Sequence, residues 1–222
     1  MHTEADLAYS KIAKIYDGFL TATGFKRGVE RFLSRIPFAL PEKPKILDAG
    51  CGTGLLTFHF ARCFPDAEIT AFDIDPAMLR AMRRIMEREI PSASRITIGR
   101  GDLKTPERFE PFPEGKTVAV PERSYDCVAV SGALEHVPLE ESVVRLTRLL
   151  KPGGVFFNLW VRRNPVGAVL GMVYRFRPYS VLEMRRACAA AGLADIRVLR
   201  LSVEDFPANL SRIAIMAKRH SA

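Results

Sequence analysis

Residues Lys45-Ile46-Leu47-Asp48-Ala49-Gly50-Cys51-Gly52-Thr53-Gly54-Leu55-Leu56 read as the end of a buried strand, a tight turn and the start of a helix. Ile46 and Leu47 form a short apolar run closed by an acid, Asp48. Three glycines then alternate with small residues before apolar residues resume. Glycine reaches positive φ without steric cost and has no Cβ, so this loop can turn sharply and let a ligand approach the backbone. The helix behind it points free N–H groups at that ligand. The spacing is G-x-G-x-G, which departs from the G-x-G-x-x-G of dinucleotide sites. A carboxylate in front of the glycines repels a pyrophosphate and suits a cation.

The segment Leu47–Gly54 resembles the first motif of the class I S-adenosylmethionine (SAM) methyltransferases; through Tyr9–Asp17 and Leu134–Pro138 the chain is similar to their small-molecule branch, the ubiquinone/menaquinone-type enzymes. SAM carries a sulfonium and an ammonium group, which gives Asp48 an electrostatic reason. Two further segments carry the resemblance: Phe72-Asp73-Ile74-Asp75-Pro76-Ala77-Met78-Leu79 and Leu149-Leu150-Lys151-Pro152-Gly153-Gly154. The resemblance covers nearly the whole chain. It implies an α/β fold: a three-layer, Rossmann-like, seven-stranded and mostly parallel sheet, with helices on both faces and an antiparallel last strand. The ligand is expected at the carboxyl ends of the strands. A single methyltransferase domain over 1–222 is expected, with an N-terminal helical cap over 1–43 and the SAM-binding core over 44–222.

Along the chain, Leu7, Ile12, Ile15, Phe19 and Leu20 recur at helical spacing between Ala5 and Leu20. Tyr9-Ser10-Lys11-Ile12-Ala13-Lys14-Ile15-Tyr16-Asp17 within it resembles the segment with which the quinone-type group covers its cofactor, which brings Tyr16 into the cofactor set; an ordinary packing helix is the equal alternative. Val29, Phe32, Leu33 and Ile36 suggest a second helix, between Gly24 and Pro37. Strands follow at Glu68–Asp73, Arg95–Gly99 and Ser124–Ser131, the last a continuous apolar run that fits burial on both faces. Asp75 reads as a helix N-cap with Pro76 at the first helical position. Met78, Leu79, Met82, Ile85 and Met86 form the buried face of that helix. Residues 104–123 have four prolines and little period; Thr117-Val118-Ala119-Val120 is strand-like and suggests an added hairpin. A helix over 139–150, the Pro-Gly-Gly turn, a fifth strand from Val155, a helix over 180–191 and two closing strands at 196–201 and 213–218 complete the reading.

Carried onto these positions, the resemblance implies a cofactor set of Tyr16, Asp48, Gly50, Cys51, Gly52, Gly54, Asp73, Ile74, Met78, Asp102, Leu103 and Ser131. Asp73 ends the second strand, where the family's acid accepts hydrogen bonds from the ribose hydroxyls; Ile74 packs on the adenine face. Asp102 stands where an acid meets the adenine amino group, although an acid in a Gly-Asp turn also has a turn role. Leu134-Glu135-His136-Val137-Pro138 again resembles the small-molecule branch. His136 is the candidate catalytic residue, as general base or substrate-orienting group, with a structural His bonding backbone across the loop as the alternative. Glu135 is equally open. No metal-ligating cluster is read.

The chain has 222 residues, enough for a sizeable core, with 48% hydrophobic and 26% charged residues and no apolar run long enough to span a bilayer. The first six residues show no basic segment followed by an apolar one, so no secretory signal is expected. Cys51, Cys63, Cys127 and Cys188 are scattered, which fits free thiols and a cytoplasmic location. The formal charge of +8 and pI near 9.6 raise nucleic acid or membrane as partners. Arg80, Arg83, Arg84 and Arg88 fall on one helix and read as a solvated face, so nucleic acid is not favoured. The apolar run 166–174, flanked by Arg162, Arg163, Arg175 and Arg177, admits a substrate-facing lid that dips into a membrane surface. A helix packed on the domain is the favoured reading, because nine residues with two glycines make a poor amphipathic helix. The function implied is SAM-dependent methyl transfer to a small, lipophilic acceptor, with positioning as the protein's main contribution. Methyl transfer to RNA or protein, and SAM binding without catalysis, are the alternatives; no Asn-Pro-Pro-Tyr-like motif or appended nucleic-acid domain supports the former. Oligomeric state is left open.

Overall fold

The computed structural model describes residues 24–90 and 93–220. The helix expected over 5–20, and Tyr16 with it, lies outside the described residues. The elements in chain order are α1 (Phe25–Ser34), β1 (Lys45–Ala49), α2 (Leu55–Cys63), β2 (Glu68–Asp73), α3 (Pro76–Glu89), β3 (Ile96–Gly101), β4 (Arg108–Pro111), β5 (Val118–Ala119), β6 (Tyr125–Ser131), α4 (Leu139–Leu149), β7 (Leu150–Val161), α5 (Pro165–Tyr174), α6 (Val181–Ala190), β8 (Leu193–Leu199) and β9 (Arg212–Arg219).

The strands form one sheet in the order β5-β4-β3-β2-β1-β6-β7-β9-β8. β3, β2, β1, β6 and β7 are mutually parallel, and β9 runs antiparallel between β7 and β8. The sheet therefore has nine strands, not the seven expected. The two extra strands come from 104–123, which folds back as a hairpin: Gly99 pairs with Pro111, Gly101 with Phe109, and Phe109 with Val118. Gly99 permits it, since a Cβ there would collide with the Phe109 ring. The hairpin covers the edge that β3 would otherwise expose. The other seven strands keep the expected arrangement, antiparallel strand included.

Side chains alternate across this sheet and feed two cores. On β6, Cys127 and Ala129 enter one core and Val128 and Val130 the other, all four fully buried. The first core takes Val29, Phe32 and Leu33 of α1, Leu56, Phe58 and Phe60 of α2, and Leu79 and Met82 of α3. The second takes Leu139, Val143, Leu146 and Leu149 of α4, with Met184, Ala187 and Cys188 of α6. Three layers result, as the resemblance implies. Ile85 and Met86, expected on the buried face of α3, are half-buried against the first core. The Pro152-Gly153-Gly154 turn lies inside β7: pairing shifts from Tyr125↔Leu150 to Cys127↔Val155, so the intervening residues bulge, with Gly153 at φ +75°.

The chain runs outward from β1 through β2 to β3 and its hairpin, then returns to place β6 on the other side of β1. That reversal opens a crevice at the carboxyl ends of β1 and β6, where doubly wound sheets hold their ligands. Asp75 caps α3 by accepting from the Ala77 N–H at 2.7 Å, which fixes the direction in which the chain leaves β2 beside that crevice.

Candidate functional site

A cleft of about 450 Å³ lies over these strand ends. Its floor is the glycine loop. Gly50, Gly52 and Gly54 all adopt positive φ, at 74°, 54° and 93°. The loop is bound to the end of β2: the N–H groups of Gly50 and Cys51 both donate to the Phe72 carbonyl, at 2.8 and 2.9 Å. Gly50 also touches its neighbours closely, since a Cβ there would stand 2.5 Å from the Ala133 Cβ. Gly54 lies behind the wall, against Phe58 and Met82, where it lets α2 start.

Asp48 is buried at the root of the loop and lines the cleft. Its Oδ2 accepts from the Thr57 N–H at 2.9 Å and the Thr57 hydroxyl at 2.6 Å, while its Oδ1 is buried without a partner. Burial pushes the carboxyl up to about 7, against the Thr57 bonds and with the help of neighbouring Asp73. Asp73, at the end of β2, accepts from the Gly52 N–H at 2.8 Å and the Asp75 N–H at 2.9 Å. It thus braces both the glycine loop and the turn into α3. Burial raises its pKa too. The Ile74 N–H also favours its charged form; a carboxylate has about four lone-pair sites, so acceptor capacity remains for a ligand.

Ile74, Met78, Asp102, Leu103 and Ser131 all line the cleft, with Ile74 59% exposed and so available to cover a flat ring. The Oδ1 of Asp102 accepts from the Lys104 N–H at 2.8 Å, which is turn chemistry, in the cleft wall. Cys51 lines the cleft with its sulfur 3.6 Å from that of Met82. His136 stands at the rim, its ring 5.4 Å from the Phe176 ring and tilted 64° to it. Its neighbour Glu135 points inward instead. The Oε1 of Glu135 accepts from the Val161 N–H at 2.7 Å, joining the Leu134–His136 turn to the end of β7, and burial raises its pKa while Arg212 opposes the rise.

The sequence reading did not name Phe25, Lys26, Val29, Leu159, Val161, Phe176 or Arg212 as site residues, yet all line the cleft. Phe25 and Arg212 pack together, the guanidinium 5.2 Å from the ring centroid. α1 and β9 reach the same wall from opposite ends of the chain, and no local motif announces that convergence.

SAM fits this site on three counts. The unpartnered Asp48 oxygen and the raised carboxyls of Asp48 and Asp73 gain from a cation. The loop lets a ligand lie against backbone. Ile74 offers an apolar face beside Asp73.

The description "Methyltransferase domain" matches residues 47–156. The demethylmenaquinone methyltransferase of Thermus thermophilus is 30% identical over 211 residues, 94% of this chain and 89% of that protein. The ubiquinone biosynthesis O-methyltransferase of Xanthomonas oryzae pv. oryzae is 31% identical over 169 residues, 72% of this chain and 64% of that protein; another relative is matched over only 24% of its length. Among solved structures, the geranyl diphosphate C-methyltransferase of Streptomyces coelicolor, in complex with S-adenosyl-L-homocysteine, superposes with a TM-score of 0.67 at 14% identity, over 86% of this chain and 79% of that one, a likeness of fold. Cleft, glycine loop and relatives agree: the chain belongs to the class I SAM-dependent methyltransferases, enzymes of the type that methylate small molecules.

Proposed function

We propose that the enzyme methylates a small, lipophilic acceptor, held at the β6–β7 end of the cleft, with SAM along the β1–β3 end. The supporting observation is the division of the wall. From β3 through β2, β1 and β6 to β7 is four strand spacings, about 19 Å at roughly 4.8 Å each. Asp73 and Asp102 stand at one end; Leu159 and Val161, with Val29, Val137, Tyr174 and Phe176, make most of the other end apolar, with His136 and the Arg212 guanidinium, stacked on Phe25, as its polar groups. Over this distance an adenosine and a second, apolar molecule have separate room, with the Asp48–Gly52 loop between them.

In this reading Asp73 accepts the ribose hydroxyls through its remaining acceptor capacity, Ile74 and Met78 cover the adenine, Asp102 meets its amino group, and Leu103 packs beneath. Gly50, Cys51, Gly52 and Ser131 border the methionine part, and Asp48 answers its positive charge. SAM supplies an electrophilic methyl on its sulfonium. The protein's own work is to orient the acceptor atom toward that methyl and to exclude water, which the ring pair His136–Phe176 and Tyr174 serve at the rim. His136 accepts the acceptor's proton where one must leave, or else orients it. Residues 24–43, through α1, close the wall as part of the cap of a single domain spanning the chain. Four unpaired thiols are consistent with a cytoplasmic setting.

The relatives support the acceptor class, since those named act in menaquinone and ubiquinone formation. The test is to incubate the full chain with methyl-labelled SAM and a cell extract, then divide the label into solvent-extractable, small polar, protein and nucleic-acid fractions. Label in the solvent-extractable fraction is the expected result. Label confined to protein or RNA refutes the acceptor class.

A further inference from the structure

α5 is built the opposite way from an ordinary surface helix. Its residues, Pro165-Val166-Gly167-Ala168-Val169-Leu170-Gly171-Met172-Val173-Tyr174, include no charge, and its buried members are the two glycines. A Cβ on Gly167 would strike the Arg162 carbonyl, and one on Gly171 would stand 2.7 Å from the Phe176 carbonyl. The helix therefore packs its glycine side on the chain entering and leaving it. At about 100° per residue, Val166, Val169, Met172 and Val173 project from the other side. They are 42%, 58%, 79% and 61% exposed. A helix apolar all round belongs in a core or against a lipid phase, not in water.

The charge around it points to which. Arg162 and Arg163 precede α5, and Arg175 and Arg177 follow it. Glu183 is the acid that meets them, holding Arg177 in a short ion pair and Arg163 at 4.0 Å. Arg162 turns to the Leu210 carbonyl at 3.3 Å; among the described residues, Arg163, Arg175 and Arg177 against one glutamate leave an excess of two positive charges at the ends of an uncharged apolar face. The Asn164 side chain caps the helix through the Gly167 N–H at 2.7 Å and donates to the Leu210 carbonyl at 2.8 Å, so the face is held in place. Tyr174 and Phe176, at its carboxyl end, line the apolar half of the cleft.

We propose that α5 seats the enzyme on an anionic phospholipid surface, with Val166, Val169, Met172 and Val173 in the headgroup–acyl boundary and the arginines on the phosphates. Ten residues make about 15 Å of helix, enough to lie in the interface plane and too short to cross it. Among the described residues no helix is long and apolar enough to span a membrane. The sequence reading preferred packing on the domain because two glycines spoil an amphipathic pattern. In the fold the glycines are themselves the packed side, which turns the apolar side outward. Docking sets the acceptor end of the cleft at the bilayer, a consequence that rests on the lipophilic-acceptor reading; the docking itself does not.

The test is sedimentation of the full chain with vesicles of equal phosphatidylcholine and phosphatidylglycerol, and with phosphatidylcholine alone. Binding to the mixed vesicles, at least tenfold weaker on phosphatidylcholine, is expected. Val169→Asp/Met172→Asp should lower it tenfold or more with SAM affinity and circular dichroism unchanged, because both side chains face solvent. Each of Arg163→Ala and Arg175→Ala should weaken it about fivefold. No sedimentation of the parent chain overturns the proposal, as does sedimentation indifferent to the aspartates. A parent dimer that the aspartates split, without vesicle binding, overturns it in favour of an interface between copies. Vesicle binding that persists while the labelled product is polar sinks the acceptor reading and leaves the docking surface standing.

Discussion

Replacing Asp48 with Asn should stabilise the cofactor-free enzyme at alkaline pH and weaken its hold on SAM, two effects of opposite sign from one buried oxygen. Asp48 titrates near 7 in the fold against an ordinary 3.8. The folded chain therefore holds a proton that the unfolded chain has released between these values. The stability from that proton is fully present below about 3.8, drains away as pH rises, and is gone above about 7. Integrating over the two titrations, folding should lose about 2–3 kcal/mol between pH 5 and pH 8 through this group alone. An Asn oxygen can still accept both Thr57 donors, at the distances of 2.9 and 2.6 Å that Asp48 Oδ2 shows, and its NH₂ occupies the place of the unpartnered oxygen without a charge.

The assay is urea unfolding of parent and Asp48→Asn, without SAM, at several pH values from 5 to 8. Titrating groups distant from Asp48 are common to both proteins and cancel in the difference; the part shared with its neighbour Asp73 stays in it. The parent should lose about 2–3 kcal/mol more than the variant across that range. With SAM present the order reverses: the cation favours the ionised Asp48, so the parent's advantage in affinity should reach tenfold or more at pH 8 and shrink toward pH 6. Parallel stability profiles for the two proteins would mean that Asp48 ionises in the fold at no cost, and the case for a cation beside it would fall.

Asp73→Asn removes a charge-assisted acceptor, so SAM affinity by calorimetry should fall roughly 10- to 100-fold; an unchanged affinity removes the ribose assignment. Gly50→Ala forces a side chain to φ +74° with its Cβ 2.5 Å from Ala133, and should destabilise the enzyme by about 1–3 kcal/mol in urea and weaken SAM binding with it. His136→Ala should lower kcat about 100-fold with SAM affinity within about twofold; a kcat at the parent level returns His136 to packing against Phe176.

The parallel core of the sheet was legible because its signals are local. A buried strand, an acid and a glycine loop occupy ten consecutive residues, and Asp75-Pro76 marks a helix start by its own hydrogen-bond chemistry. The β4–β5 hairpin was only half legible. Val118 and Ala119 are strand-like by residue type, but the pairing that makes nine strands of seven depends on Phe109 finding the space above Gly99, a contact without any local pattern. The same holds for the α1–β9 wall of the cleft. Phe25 and Arg212 lie at opposite ends of the described chain and meet only because α1 and the Arg212 end of β9 reach the same cleft wall.

α5 shows what periodicity measures and what it does not. A helical period is visible in a sequence when apolar and polar side chains separate around the axis; with no polar residue between Pro165 and Tyr174 there is nothing to separate. The physical distinction in this helix is size. Gly167 and Gly171 let backbone approach backbone, so the helix can be anchored while every larger side chain stays outside. A helix held by its smallest residues leaves its free energy of burial unclaimed on the outer side. For the enzyme, that unburied area lies next to Tyr174 and Phe176 of the cleft wall.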